Sequence, residues 1–176
     1  MKLKFLDSVV WVPVYAKVDL KDATITLKDG AAETVEVKVG EGNLTYTEAR
    51  AIEYTRDRGT LDEVREGDEE PIDVRLDFMW EYLKAESSGA TPSVEEALKQ
   101  EGAAAGWISS DVDTCRPYAV DIEIIVAPSP SNCGDKETIT LSDFRWESLD
   151  PDLRAGTVSV SGKCNVTRAT VLREVQ

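Results

Sequence analysis

Apolar and polar residues alternate with a period of two along much of this chain of 176 residues. At 34–39 the order is Thr-Val-Glu-Val-Lys-Val, so the valines would share one face of an extended strand. Comparable stretches recur along the chain, at 9–18, 24–27, 43–55, 72–83, 118–127, 137–146 and 157–172. The pattern predicts about eight half-buried strands, and therefore a mainly β protein built as an antiparallel sandwich or barrel.

One segment has helical spacing instead. Apolar residues from Val94 to Leu98 would share a helix face, and Ser93 with Glu96 forms a capping box in front of them. Gly102 is placed to end the helix. A single short amphipathic helix is therefore predicted to flank the sheet. In the last strand stretch, Gly162 predicts a bulge or a close backbone approach.

Composition excludes several kinds of function. The 34 acidic and 20 basic residues give a net charge of −14, which opposes binding to nucleic-acid phosphates and to anionic membranes. Histidine is absent, so His-based catalytic triads and metal centres are excluded. No apolar run approaches the length of a membrane-spanning helix, and we expect no signal peptide.

The three cysteines are Cys115, Cys133 and Cys164. Their odd number and irregular spacing suit neither a disulfide framework nor a zinc site, so we expect reduced thiols. We expect no cofactor. The length and the absence of repeats or linkers predict one domain over 1–176.

The segment 56–71 interrupts the alternation and is strongly acidic. Between positions 60 and 70 it holds six acids and one base, a net charge of −5. A solvated loop is one interpretation, and an interaction arm is the other, because long loops in compact domains are usually functional. The charged residues of the predicted arm are Asp62, Glu63, Arg65, Glu66, Asp68, Glu69 and Glu70.

The stretch 72–83 alternates at first and then becomes continuously apolar. It is expected to begin in solvent and to end in a core or an interface between subunits, because a continuous apolar run cannot place all its side chains on one strand face. The residues expected in that core or interface are Phe78, Met79, Trp80 and Leu83.

Several strings resemble, in order, segments of the tail tube proteins of long-tailed bacteriophages. They are YTRDRGTLDEVREGDEEPIDVRLDFMWEYL at 54–83, PSVEEALKQEG at 92–102, WISSDVDTCRPYAVDIEIIVAP at 107–128 and DFRWESLDPDLRAGTVSVSGKCNVT at 143–167. The resemblance covers roughly residues 40–170. It implies a sandwich or barrel subunit that forms hexameric rings, and these stack into a tube through which DNA is ejected.

The resemblance also implies partners and a location. The chain would bind copies of itself and other tail proteins, namely a tape measure, a terminator and a distal tail protein. It would be part of the virion, assembled in the host bacterial cytoplasm, and DNA would pass without specific binding. An acidic lining would repel phosphates, and the candidate channel residues at outward strand positions are Asp73, Asp77, Asp121 and Glu123.

Other readings remain open. Paired carboxylates can hydrolyse glycosides, but no pair of acids here is singled out by an apolar surrounding. A monomeric carbohydrate-binding module would share the strand pattern and could use Trp11, Trp80, Trp107 and Trp146 as platforms. A tail terminator or another ring-forming tail protein would also have such a sequence.

Overall fold

The computed structural model describes residues 23–37, 43–58, 60–79, 92–126 and 136–174. Within these ranges the strands are β1 (Ala23–Lys28), β2 (Thr34–Val37), β3 (Asn43–Thr47), β4 (Ile52–Asp57), β5 (Thr60–Glu66), β6 (Ile72–Met79), β7 (Val120–Val126), β8 (Lys136–Asp152), β9 (Thr157–Cys164) and β10 (Thr170–Glu174). Helix α1 covers Val94–Lys99, and a 3-10 turn at Gly102–Ala104 follows it. The predicted mainly β architecture with a flanking helix is confirmed. The stretch 9–18 lies outside the described residues.

The main sheet is antiparallel and has eight strands. Its order is β2-β1-β7-β8-β9-β6-β3, and β10 pairs with β8. Strand β8 belongs to two half-sheets, because its first part pairs with β7 and β10 and its second part pairs with β9. We call β2, β1, β7, β10 and the first part of β8 the first half, and the remainder the second half. β4 and β5 form a separate two-stranded sheet.

Two irregularities in β8 mark the passage between the halves. The register shifts against β7 between Val120 and Ile122, and against β9 between Trp146 and Ser148. Bulges bend a strand and increase its twist, and a strand that switches between sheets through bulges can turn a corner of a sandwich. We infer that the sheet folds at β8 and so covers its own apolar face.

The core draws on both halves and on the helix. Ile25 and Ile122 from the first half, and Leu76 and Val160 from the second, are all fully buried. These residues belong to one hydrophobic cluster, which also includes the helix residues Val94, Ala97 and Leu98. The cluster explains why the inward positions of the main-sheet strands are mostly apolar.

Two predicted strands are divided in the structure. The stretch 43–55 separates into β3 and β4, and the stretch 157–172 separates into β9 and β10. The stretch 137–146 is longer than predicted, because β8 continues to Asp152. Its bulges shift the alternation and Pro151 lies within the ladder, so its sequence does not look like one strand.

Local signals were more accurate. The Ser93 hydroxyl accepts the backbone N–H of Glu96 at 3.2 Å, and the Glu96 carboxylate accepts the N–H of Ser93 at 2.9 Å, which confirms the capping box. The helix ends earlier than Gly102, with Gln100 as its left-handed C-cap. The predicted close approach at Gly162 is confirmed, because a Cβ there would overlap the carbonyl oxygen of Arg145.

Candidate assembly surfaces

Residues 43–79 form one long hairpin whose base lies in the main sheet. β3 pairs with β6 at the base, and β4 pairs with β5 in the outer part. The backbone N–H of Gly67 donates to the carbonyl oxygen of Ala51 at 2.9 Å, which continues the ladder between the two parts. We call residues 48–70 the arm. The paired strands β4 and β5 extend for about 20 Å at about 3.3 Å per residue, and every residue of β4 is exposed.

The arm has an apolar face that the described part of the chain leaves exposed. Tyr54 lies opposite Val64 in the register, and these side chains are 59% and 60% exposed. Ile52 and Leu61 lie on the same face and are also exposed, opposite Glu66 and Arg56. A two-stranded ribbon with an uncovered apolar face is marginal by itself, so this face is a candidate contact surface.

The segment 56–71 is not the irregular loop that the sequence suggested, since most of it belongs to the β4–β5 hairpin. A register shift leaves Asp62 as the extra residue of a bulge. The bulge brings Leu61 and Val64 to one face although they are three positions apart. The alternation was hidden for this reason, and the acidic residues obscured it further.

The charged residues of the arm lie along the hairpin and in the segment that follows it. Arg65 donates to the Glu63 carboxylate at 2.7 Å, and Arg50 contacts Glu66 with nitrogens at 2.8 and 3.0 Å. Such exposed ion pairs contribute at most about 1 kcal/mol each. Of Asp62 only the backbone is described. The exposed acids that follow β5 are Asp68, Glu69 and Glu70.

The base of the arm is tied to the turn between β9 and β10. The Glu48 carboxylate accepts the backbone N–H of Ala169 at 2.8 Å. The backbone N–H of Ile72 donates to the carbonyl oxygen of Val166 at 3.1 Å. These two hydrogen bonds fix where the arm leaves the sheet.

The predicted apolar run is only partly described. Phe78 is buried in the core, whereas the neighbouring Met79 is 49% exposed on the opposite face of β6. The expectation that the strand begins in solvent is wrong, because Ile72 is fully buried and alternation continues through the whole strand. Trp80 and Leu83 lie outside the described residues.

The four predicted channel acids lie on the solvent face of the main sheet, but in two different halves. Asp73 and Asp77 belong to β6 in the second half, and their side chains are 63% and 36% exposed. Asp121 and Glu123 belong to β7 in the first half. Glu123 is only 16% exposed and forms an ion pair with Lys28. The second half therefore offers the more accessible acids.

Asp121 has a structural contact that its sequence position did not reveal. Its carboxylate accepts the backbone N–H of Asp143 at 2.9 Å. Asp143 has a φ of 57°, in the left-handed region that aspartate tolerates better than most residues. Asp121 therefore supports the first bulge of β8, in addition to carrying a charge.

Two buried aspartates hold the irregular segment 107–119, and sequence reasoning missed both. Asp29 is 5% exposed, and its carboxylate accepts backbone N–H groups from Ala31, Glu33 and Ile108 at 2.7 to 3.0 Å. One side chain thus joins the β1–β2 turn to this segment. An isolated aspartate followed by glycine resembles an ordinary turn, so the sequence carried no signal of burial.

Asp111 anchors the same segment to β8. Its carboxylate accepts from Arg145 at 2.6 Å, from Arg116 at 3.2 Å and from the backbone N–H of Asp113 at 2.9 Å. The Asp113 hydrogen bond and then the Arg145 and Arg116 guanidinium groups hold the pKa of Asp111 below its ordinary value. This is a structural clamp, because all three partners stabilise the ionised carboxylate.

The cysteines and the potential metal ligands of the described residues were compared with reactive sites. Burial, with the Asp121 and Asp143 charges, raises the pKa of Cys164 to about 12, so its thiol is inert near neutral pH. Cys115 is an exposed free thiol, and Cys133 lies outside the described residues. No group of three or more potential metal ligands occurs in the described ranges. None of the helices in those ranges is long and apolar enough to cross a membrane.

Three of the solved structures that resemble this chain cover 90% to 97% of it. The sheath/tube terminator of the extracellular contractile injection system PVC matches with a TM-score of 0.53 and 11% identity, over 90% of this chain and 99% of the other. The PVC sheath-tube complex matches with a TM-score of 0.52 and 10% identity, over 93% and 95%. The tube-terminating cap of the anti-feeding prophage matches with a TM-score of 0.53 and 12% identity, over 97% and 100%.

No protein-family model and no curated protein matches the sequence. The identities of 10% to 12% show a shared fold. The chain therefore has a fold found in tube and tube-terminator components of contractile injection systems. The sequence strings suggested the tail tube proteins of long-tailed phages. The likeness to these structures shows the fold and does not extend to that family.

Proposed function

We propose that this chain is a non-enzymatic tail protein whose copies form hexameric rings and stack into a tube for DNA. The observation that carries the proposal is the arm, whose paired strands form a ribbon about 20 Å long with an exposed apolar face. An uncovered ribbon of this kind is an aggregation hazard for a monomer. In an assembly, a neighbouring copy covers it.

The arm sets the axial contact between rings. It leaves the sheet at a position fixed by the hydrogen bonds of Glu48 and Ile72, and all of β4 is exposed within one copy. One arm per copy generates a head-to-tail contact, and such contacts repeat into rings or filaments. The acids on and beside the arm disfavour contact with other acidic surfaces.

The solvent face of the second half lines the channel. Asp73 lies 3.5 Å from Lys163, and the Ser159 hydroxyl donates to Asp77 at 2.5 Å. A groove of about 220 Å³ on this face is lined mostly by polar side chains, among them Thr45, Thr47, Arg75, Glu147 and Ser161. Because the basic side chains lie beside acids, the face offers phosphates few free cations, and DNA slides past it.

Other tail components bind at the ends of the tube. The tape measure, terminator and distal tail proteins are the partners that this role requires, and the assembled particle is a virion. The similar solved proteins belong to sheath, tube and terminator assemblies, which supports association of this fold with other tail proteins.

Negative-stain microscopy of the purified protein tests the proposal. We expect long hollow tubes from the unchanged chain. Replacing residues 60–70 with a short Gly-Ser turn should leave rings or monomers and abolish tubes. Leu153→Ser is the matched control, because it removes an exposed apolar side chain from the β8–β9 turn, and it should assemble normally. Normal tubes from the shortened variant would contradict the proposal that the arm joins the rings.

A terminator is the second candidate, and two of the three similar structures favour it, since they are a terminator and a terminating cap. A terminator makes a single ring that stops growth, whereas a tube protein polymerises. Single rings of unchanged protein at all concentrations would establish the terminator.

A carbohydrate-binding module has less support. Trp107 is buried, and Tyr54 and Trp146, the exposed aromatics among the described residues, belong to different sheets. They do not form a common platform for a sugar ring.

A further inference from the structure

The structure points to the surface that receives the arm. Building on the assembly proposed above, we propose that the apolar face of the arm docks on a patch of another copy, formed by Arg168, Val171, Leu172 and Arg173. We call this set the β10 patch. The contact joins two different surfaces of identical chains.

The β10 patch is apolar and open. Val171 is 45% exposed and Leu172 is 57% exposed. Val171 and Leu172 are successive residues and point to opposite faces of β10, so the patch is the free edge of the strand with one apolar side chain on each side of it. In the described sheet β10 pairs with β8 alone, which leaves its other edge uncovered. An exposed edge of this kind is a template for a partner.

Charge selects the arm as the partner. Segment 165–173 contains two arginines and no acid, whereas the arm contains nine acids and four bases, a net charge of −5. Arg168 is exposed and takes part in no ion pair among the described residues. Arg173 is 72% exposed although it contacts Glu137. Although β10 also contains Glu174, the basic apolar segment 165–173 is a complementary surface for the acidic apolar ribbon in so acidic a chain.

The contact has to join two copies. The hydrogen bond between Glu48 and Ala169 places the base of the arm beside the turn that leads into β10. Nevertheless, both the apolar face of the arm and the β10 patch are exposed within one chain. Each copy therefore has one free arm and one free patch, which is the requirement for head-to-tail assembly.

Mixing two defective variants tests this pairing. The arm variant carries Tyr54→Ser and Val64→Ser, and the patch variant carries Val171→Ser and Leu172→Ser. Each variant alone should form no tubes, because each lacks one side of the contact. In a mixture, an intact arm can meet an intact patch once. Light scattering after size exclusion should then show a complex with twice the mass of the unit that either variant forms alone.

The other outcomes separate the two proposals. If the patch variant forms normal tubes and the arm variant does not, the arm docks elsewhere and the β10 patch is wrong. If both variants form tubes, the proposal that the arm joins the copies is wrong. If neither forms tubes and the mixture does not pair, the two surfaces are not partners.

A charge variant guards against a folding defect in the patch variant. Arg168→Glu should raise the protein concentration needed for tubes at least tenfold without a change in melting temperature. High salt should reduce the difference, because it screens the charges. Arg154→Glu, at an exposed arginine in the β8–β9 turn, is the control and should assemble as the unchanged chain does. An Arg168→Glu protein that assembles normally would overturn the charge pairing.

Discussion

Strand β6 and the arm are consecutive parts of one hairpin, yet the apolar side chains on one face are buried in β6 and exposed in the arm. In β6, every second side chain from Ile72 to Phe78 is buried against the core. In the arm, Tyr54 and Val64 occupy one face of an equally regular pairing and both remain exposed. Alternation alone therefore predicts that a face will be covered, and it does not say by which molecule.

Because of this difference in burial, removing an apolar side chain should have different effects in β6 and in the arm. Removing an apolar side chain from β6 should reduce the stability of each subunit. Removing one from the arm should leave the subunit folded and weaken the contact between copies. Mutations that compare the two regions can therefore separate folding from assembly.

The largest expected effect is in the core. Leu76→Ala removes a fully buried side chain and should lower the free energy of unfolding by about 2–5 kcal/mol. Val64→Ala in the arm is the matched control and should change it by less than about 0.5 kcal/mol. Urea denaturation of the disassembled protein measures both. An equal loss for the two variants would show that the arm is part of the folded core.

A smaller effect is expected at the bulge of β8. A Cβ at Gly162 would overlap the carbonyl oxygen of Arg145, so Gly162→Ala should cost about 1–3 kcal/mol through displaced backbone. Gly106→Ala is the control, because open space surrounds that position. Thermal melting compares the two variants. Similar melting temperatures would mean that the bulge relaxes without strain.

The Asp111 clamp should make the stability of the body depend on pH. Since the folded pKa of Asp111 lies below the usual 3.8, its carboxylate stabilises the fold above that value and loses this effect as pH falls through the folded pKa. Asp111→Asn should therefore be less stable than the unchanged chain at pH 7, and the difference should shrink in acid. The stability is measured by urea denaturation at pH 7 and in acid. Asp68→Asn in the arm is the control and should not shift the urea midpoint at either pH. A constant difference from pH 7 to pH 2 would contradict the clamp.

The smallest effect on stability is expected on the channel face. Asp73→Lys with Asp77→Lys should leave the exposed face folded and assembled, and the tubes should acquire DNA binding that weakens with salt. Glu101→Lys, at an exposed acid near the helix, is the control and should not give the tubes any DNA binding. Filter binding at two salt concentrations measures this. If the variant tubes still bind no DNA, these two residues do not face the channel.

The sequence predicted the parts of the fold that depend on local chemistry. The capping box of Ser93 and Glu96 needs only a few neighbouring residues, and it forms as predicted. Bulges add one residue and invert the alternation, so the pattern failed at Asp62 and along β8. The acidic composition identified the arm as a candidate contact, but its strand and its apolar face depended on that bulge.

The residues that organise the body could not be found in the same way. Asp29 and Asp111 act on groups far away in the chain, such as Ile108 and Arg145. A single sequence does not contain these distances. Likewise, the division of the predicted channel acids between two halves follows from the long register of β8.

Hydrogen–deuterium exchange on assembled and disassembled protein tests the central claim most directly, namely that another copy covers the arm. Backbone amides of β6 should be protected in both states, because they lie between β9 and β3. Amides of β4 and β5 should exchange at least tenfold more slowly after assembly. Equal exchange of the arm in both states, with tubes present, would contradict the account.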